Sequence, residues 1–249
     1  MVINMQKRIN GVDVNYITYG NKDGDTICYL HGWGQNIEMM KPVADPFEDE
    51  FNIVIIDLPG FGESEEPTYI WKLKDYVECV KELLESLDIS NPILVGHSFG
   101  GKISLLYASM YEVKKLILFG SPFKQEIKKD SLKLKTLKTL KKIPGINKLE
   151  GFAKKHIGST DYKNASETMR KIMVEHVNLD LTEEVKKIKC PTLIVWGTLD
   201  DAVPIERAYE LEKLIPDAGV VVYENCTHYA YLERLNQTVN VMWSFLVGG

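Results

Sequence analysis

Short, almost wholly apolar runs recur along the chain at residues 26–30, 52–56, 92–95, 116–119, 192–196 and 220–223. Runs of this length predict strands buried on both faces, as in the middle of a parallel sheet. Between them the period changes. Residues 71–87 place Tyr76, Val77, Val80, Leu83, Leu84 and Leu87 at helical spacing, and residues 205–214 and 236–246 predict two more helices, the last closing the domain. A polar segment after Gly34 has helical character to about Phe47. The opening stretch differs: Asn10-Gly11 lies between alternating apolar and polar residues over 8–16, which predicts a hairpin of antiparallel strands. Strands alternating with helices predict an α/β fold, a mostly parallel sheet with helices on both faces.

The strand rhythm stops between residues 123 and 189. Leu134, Leu137, Leu140 and Ile143 recur every third position and end at Pro144-Gly145, while Met169, Ile172, Met173, His176 and Val177 outline a second amphipathic helix. The expected organisation is an α/β core made of 1–122 and 190–249, with 123–189 inserted as a helical cap, or lid.

Charge changes the picture of that insertion. Residues 124–155 hold eleven lysines against three acids, a charge of +8; with −5 overall, the remainder carries −13. One reading is a solvated helix face whose lysine stems cover apolar surface. The other is a landing site for an acidic partner: an anionic substrate, an acidic acyl-carrier protein or anionic lipid. Nucleic acid is disfavoured as a partner, because the segment has almost no aromatic residues for base stacking and the total charge is negative.

A length of 249 residues, with 45% hydrophobic and 26% charged residues, suits one fairly large globular domain. The first eight residues show no apolar signal region, and no run approaches the roughly 18 apolar residues of a membrane helix. A cytoplasmic protein with no integral membrane segment is expected. Cys28, Cys79, Cys190 and Cys226 lie far apart without metal-ligand spacing, so no disulfide, metal or cofactor is expected.

Candidate chemistry centres on Gly96-His97-Ser98-Phe99-Gly100-Gly101, between the strand at 92–95 and a helical run at 102–108. Strand, tight turn and helix in that order push a serine hydroxyl out of the sheet, with glycines on either side letting the backbones pass. Ser98 reads as a nucleophile, or else as a serine that merely caps the helix. A serine hydroxyl needs a neutral imidazole within reach and a carboxylate to orient it. His31 and His97 belong to turn motifs and read as supports of loop geometry; His156 and His176 lie in the insertion. His228 alone follows a late strand in a loop, at the sheet edge that presents Ser98. Asp200 and Asp201 follow the strand ending at Trp196; Asp200 is the preferred acid, with Asp201 as the alternative or as a helix cap. Asp57, beside Pro59 and Gly60, reads as a turn stabiliser. The main-chain N–H groups of Phe99 and Trp33 are candidate oxyanion donors.

Taken together, His31-Gly32-Trp33-Gly34, Asp57-Leu58-Pro59-Gly60-Phe61-Gly62-Glu63-Ser64, the Ser98 turn, Gly197-Thr198-Leu199-Asp200 with Pro204 beyond, and His228 resemble the α/β-hydrolase superfamily in its lidded, esterase-like branch. The order Ser98, Asp200, His228 matches that family. The resemblance implies an eight-stranded sheet with a cap inserted after the sixth strand, and an acid three residues after Gly197, which favours Asp200 over Asp201. It also implies a serine hydrolase, foremost a carboxylesterase cleaving a small or medium acyl ester through an acyl-enzyme on Ser98. Alternatives on the same triad are carbon–carbon bond hydrolysis, a lyase reaction, a cofactor-free haloperoxidase, or a slow small-molecule receptor. Dehalogenases and epoxide hydrolases of the superfamily carry aspartate where Ser98 stands, so those activities are disfavoured. Thr227 replaces the glycine that many relatives carry before the histidine.

Overall fold

A computed structural model describes residues 5–125 and 165–248. In it the predicted hairpin is formed by β1 (Met5–Ile9) and β2 (Val12–Gly20), with Ile9 opposite Val12. Asn10 and Gly11 close it with positive φ of 51° and 80°, the backbone that Asn-Gly supports in a two-residue turn.

The apolar runs become β3 (Thr26–Leu30), β4 (Asn52–Ile56), β5 (Ile93–His97), β6 (Lys115–Phe119), β7 (Thr192–Gly197) and β8 (Ala218–Tyr223). They join the hairpin in one eight-stranded sheet of order β1-β2-β4-β3-β5-β6-β7-β8. β1–β2 and β2–β4 pair antiparallel, and every later pairing is parallel.

The period of two along each strand divides the interior into two layers. Cys28, Leu30, Val54, Ile56 and Leu94 face one way, towards α2 (Leu73–Glu85) and α3 (Phe99–Met110). Ile27, Tyr29, Ile53, Ile55, Ile93 and Val95 face the other, towards α1 (Ile37–Ala44) and the long closing helix at Leu235–Val247. Both layers are dry, which is why the strands read as unbroken apolar runs.

Parallel strands all end at the same edge of the sheet. The loops after β3, β4, β5, β6, β7 and β8 therefore gather there, which is where an open α/β sheet places its ligands.

Between β6 and β7 the described residues form α4 (Glu167–Asn178) and α5 (Thr182–Val185). The helix pattern at Leu134 to Ile143 and nearly all of the lysine-rich stretch lie outside the described residues. Ser166 caps α4 by accepting from Met169 N at 3.1 Å. Met169, Ile172 and His176 are its buried face, whereas Val177, eight residues from Met169 and about 80° around the helix, turns outward and is 55% exposed. Val177 is thus not part of the amphipathic face. Among the described residues no helix is long and apolar enough to cross a membrane.

Candidate active site

β5 ends at His97, and α3 begins at Phe99, three residues earlier than the helical pattern suggested. Glycine is a poor helix former, and Gly100-Gly101 hid the first turn. Close approach explains both glycines flanking Ser98. A Cβ at Gly96 would sit 2.5 Å from Gly101 Cα, and one at Gly100 would sit 2.2 Å from Leu30 O.

Ser98, between them, is held at φ 51° and ψ −111°, a conformation that side chains rarely adopt. Such strain costs on the order of 1–3 kcal/mol and persists only where the surroundings impose it. Here Ser98 N donates to Phe119 O at 2.9 Å and Gly100 N to His31 O at 3.0 Å, tying the turn to the ends of β6 and β3.

His228 and Asp200 meet at the same edge. Asp200 Oδ2 lies 2.7 Å from His228 Nδ1, and the side chains are 1% and 13% exposed. Asp200 Oδ1 accepts from Ala202 N at 3.0 Å and Val203 N at 2.8 Å. All three bonds orient the carboxylate towards the imidazole and fix the tautomer with its proton on Nδ1, leaving Nε2 as the basic nitrogen. Asp201 is exposed. His97, next to Ser98 in the chain, lies with its Nε2 3.1 Å from His228 O and its ring 4.8 Å from the His228 ring.

Two glycines were not singled out for these roles from the sequence. Gly120 has φ 51°, and a Cβ there would meet His228 Nδ1 at 3.0 Å and Asp200 Oδ2 at 3.2 Å. A Cβ at Gly197 would meet Cys226 O at 2.2 Å, so the loop leading to His228 lies directly over it. In the sequence Gly120 is only a glycine at a strand end, which many turns share, and Gly197 is only the residue from which the acid is counted.

The loop after β3 brings Trp33 against Phe99, ring centroids 5.2 Å apart. Gln35 braces it: Oε1 accepts from Gly32 N at 3.0 Å and lies 3.1 Å from His97 Nδ1. No acceptor for the amides of Trp33 or Phe99 lies among the described residues, and the Phe99 amide heads α3, where the helix leaves its first N–H groups free. Asp57 holds the neighbouring loop as expected of a turn stabiliser, accepting from Ile37 N at 2.8 Å, Asn15 Nδ2 at 2.8 Å and Glu63 N at 2.9 Å. A cavity of about 370 Å³ opens beside Trp33, lined also by Phe61 and by Met169 of α4.

His31 is fully buried; its Nε2 accepts from Leu58 N at 3.0 Å and its Nδ1 lies 2.7 Å from Gly32 O. The neutral ring satisfies both contacts. Burial pushes its pKa down to about 4, against 6.5 ordinarily, and burial followed by the nearby His228 pushes His97 well below its ordinary value. The unfolded chain would take up these protons as pH falls through about 6.5, while the folded chain refuses them. The stability conferred by neutral His31 is therefore complete above pH 6.5 and drains away as pH falls towards 4, at about 1.4 kcal/mol per pH unit for each such histidine. Urea unfolding at pH 7 and pH 5 checks this; equal stabilities at the two pH values would contradict it.

The family model for the alpha/beta hydrolase fold matches residues 25–135 and 122–235 of the chain. Lipase 1 of Psychrobacter immobilis is 30% identical over 254 residues, covering 93% of this chain and 80% of that protein. A pimeloyl-[acyl-carrier protein] methyl ester esterase of Aliivibrio fischeri is 23% identical, covering 90% and 94%. Among solved structures, a membrane phospholipase A superposes with a TM-score of 0.81 at 24% identity, covering 99% of this chain and 86% of that one.

Proposed function

The chain belongs to the alpha/beta hydrolase fold family, and from this we propose that it is a serine carboxylesterase acting on a small or medium acyl ester, with Ser98, His228 and Asp200 as its triad. The observation that carries the reading is the Asp200–His228 pair, built on the loops after β7 and β8 at the sheet edge where strained Ser98 emerges. Ser98 Oγ attacks the ester carbonyl carbon as His228 Nε2 takes its proton. The Trp33 and Phe99 amides receive the oxyanion. The tetrahedral intermediate collapses, the C–O bond to the alcohol breaks, and the alcohol leaves with the proton from His228. Water, deprotonated by His228, then attacks the acyl-enzyme and releases the acid, and the proton returns to Ser98. In this reading 1–122 and 190–249 are the core and 123–189 the cap over it.

A second reading narrows the substrate. The +8 charge of 124–155, together with a relative named for a carrier-protein ester, supports an acyl group presented on an acidic carrier protein. One set of assays tests both. p-Nitrophenyl esters of increasing acyl length should turn over and vinylogous diketones should not; diketone cleavage without ester cleavage would move the protein to carbon–carbon bond chemistry. A carrier-bound methyl ester should lose rate as salt rises, and more steeply than a free ester. Equal salt slopes, unchanged by charge reversal at Lys138 and Lys141, would remove the carrier.

A further inference from the structure

Lys102 is a cation in the interior. It sits on α3 one turn after the nucleophile, with Lys102 N donating to Ser98 O at 3.0 Å, and it is only 3% exposed. A lysine is almost never buried so far unless its ammonium is engaged. Here Nζ donates to His176 O at 2.6 Å, in the last turn of α4, and to Leu179 O at 2.7 Å, just beyond it. Burial, opposed by the charge of Asp180, pushes the ammonium pKa down to about 8, so the group is charged at pH 7. A cation at the carboxyl end of a helix also suits its dipole.

Both acceptors are main-chain atoms, and bonds to the main chain are what hold a helix as a body. α4 is seated closely along its length. Two turns before the clamped end, Met169 lies so near the loop after β4 that a Cβ at Gly60 would meet Met169 Cε at 2.5 Å and Sδ at 2.6 Å. On the same buried face the His176 ring packs 4.8 Å from the ring of Phe99. At the amino end the Ser166 hydroxyl donates to Glu66 Oε1, but that pair is exposed, where a hydrogen bond holds less firmly than a buried, charge-assisted one. The stronger tie is therefore Lys102.

What this seating controls is the cavity of about 370 Å³ beside Trp33. Trp33 and Phe61 line it from the core, and Ala165 and Met169 line it from the segment between β6 and β7. Its two polar side chains, Glu66 and Ser166, bond to each other, which leaves a space suited to an apolar chain. Trp33 also carries one of the two candidate oxyanion amides, so this space adjoins the reacting centre.

We propose that Lys102 is a positioning residue for substrate size: by fixing α4 to the helix that follows Ser98, it holds Met169 as a wall of this cavity and so limits the length of the ester's apolar chain. The proposal rests on the serine esterase reading. Without the ammonium, His176 O and Leu179 O lose this donor, the end of α4 is released, and the wall at Met169 recedes.

The test measures kcat/KM at pH 7 for two series, p-nitrophenyl acetate to octanoate on the acyl side and methyl to octyl butyrate on the alcohol side. The proteins are the wild type, Lys102→Met, Met169→Ala and the double variant. Comparing the longest-to-shortest ratio between proteins cancels intrinsic reactivity. In one of the two series that ratio should rise about tenfold in Lys102→Met and in Met169→Ala, the discrimination a single methylene commands in an apolar pocket, and the change should lie in KM rather than kcat. In the double variant the ratio should stay within about twofold of Met169→Ala alone, because a wall already removed cannot be displaced. Ratios in Lys102→Met within about twofold of the wild type in both series would overturn the proposal. So would a second rise of about tenfold in the double variant, which would place the effect of Lys102 elsewhere. Failure of the esterase reading looks different: no ester is cleaved by any of the four proteins. Should Lys102→Met fold poorly, Lys102→Gln, shorter but still a donor, takes its place; a rise beyond about twofold is then expected, and anything less sinks the idea.

Discussion

Ser98→Ala should lower ester turnover by about five to six orders of magnitude while leaving the fold intact. Loss of the nucleophile in a serine hydrolase costs about 10⁶ in kcat, because the residual rate comes only from binding and oxyanion stabilisation. Structural cost is small. Among the described residues Ser98 is held by its backbone, through Ser98 N to Phe119 O and Lys102 N to Ser98 O, and alanine keeps both bonds. The strained φ of 51° remains in the variant, so any change in melting temperature should be slight. Steady-state hydrolysis of an activated ester, with the unfolding curve beside it, checks the expectation. An undiminished rate in a well-folded Ser98→Ala protein would show that this serine is not the nucleophile.

Asp200→Asn should follow closely, with a loss of about 10⁴ in kcat and little change in KM. The amide retains the volume of the carboxylate and can still accept from Ala202 N and Val203 N through one oxygen. Its nitrogen, however, then faces His228 Nδ1 as a donor. The imidazole must turn its lone pair to Nδ1 and carry its proton on Nε2, which can no longer take a proton from Ser98. Asp201→Asn is the matched control: Asp201 is exposed, and its variant should stay within about twofold of the wild type. A large loss in Asp201→Asn with none in Asp200→Asn would reverse the assignment of the acid.

Much of this was legible in one dimension because it depends on periodicity and on chain order. Strands sealed on both faces can only be written as apolar runs, so 26–30, 52–56 and 192–196 announced themselves, and Asn10-Gly11 announced the hairpin through its tolerance of positive φ. The Ser98 turn was legible for a related reason, since a Cβ at 96 or 100 would lie only 2.2–2.5 Å from neighbouring backbone, which admits glycine alone. The choice between Asp200 and Asp201 was different. Adjacent residues have equal claims in a sequence, and the family spacing favoured the first.

What the sequence by itself determined was the α/β class, the order of elements and the residue types able to do acyl chemistry at the edge where parallel strands end. What only the tertiary structure decided were contacts between residues far apart in the chain: Asp200 against His228, Gly120 beneath that pair, Gln35 between the two turns, and His176 clamped by Lys102 against Phe99. The physical reason is the same in each case. Hydrophobic periodicity records which face of an element is dry, whereas a hydrogen bond or a close approach across dozens of residues leaves no periodic trace and exists only once the sheet has brought its loops to one edge.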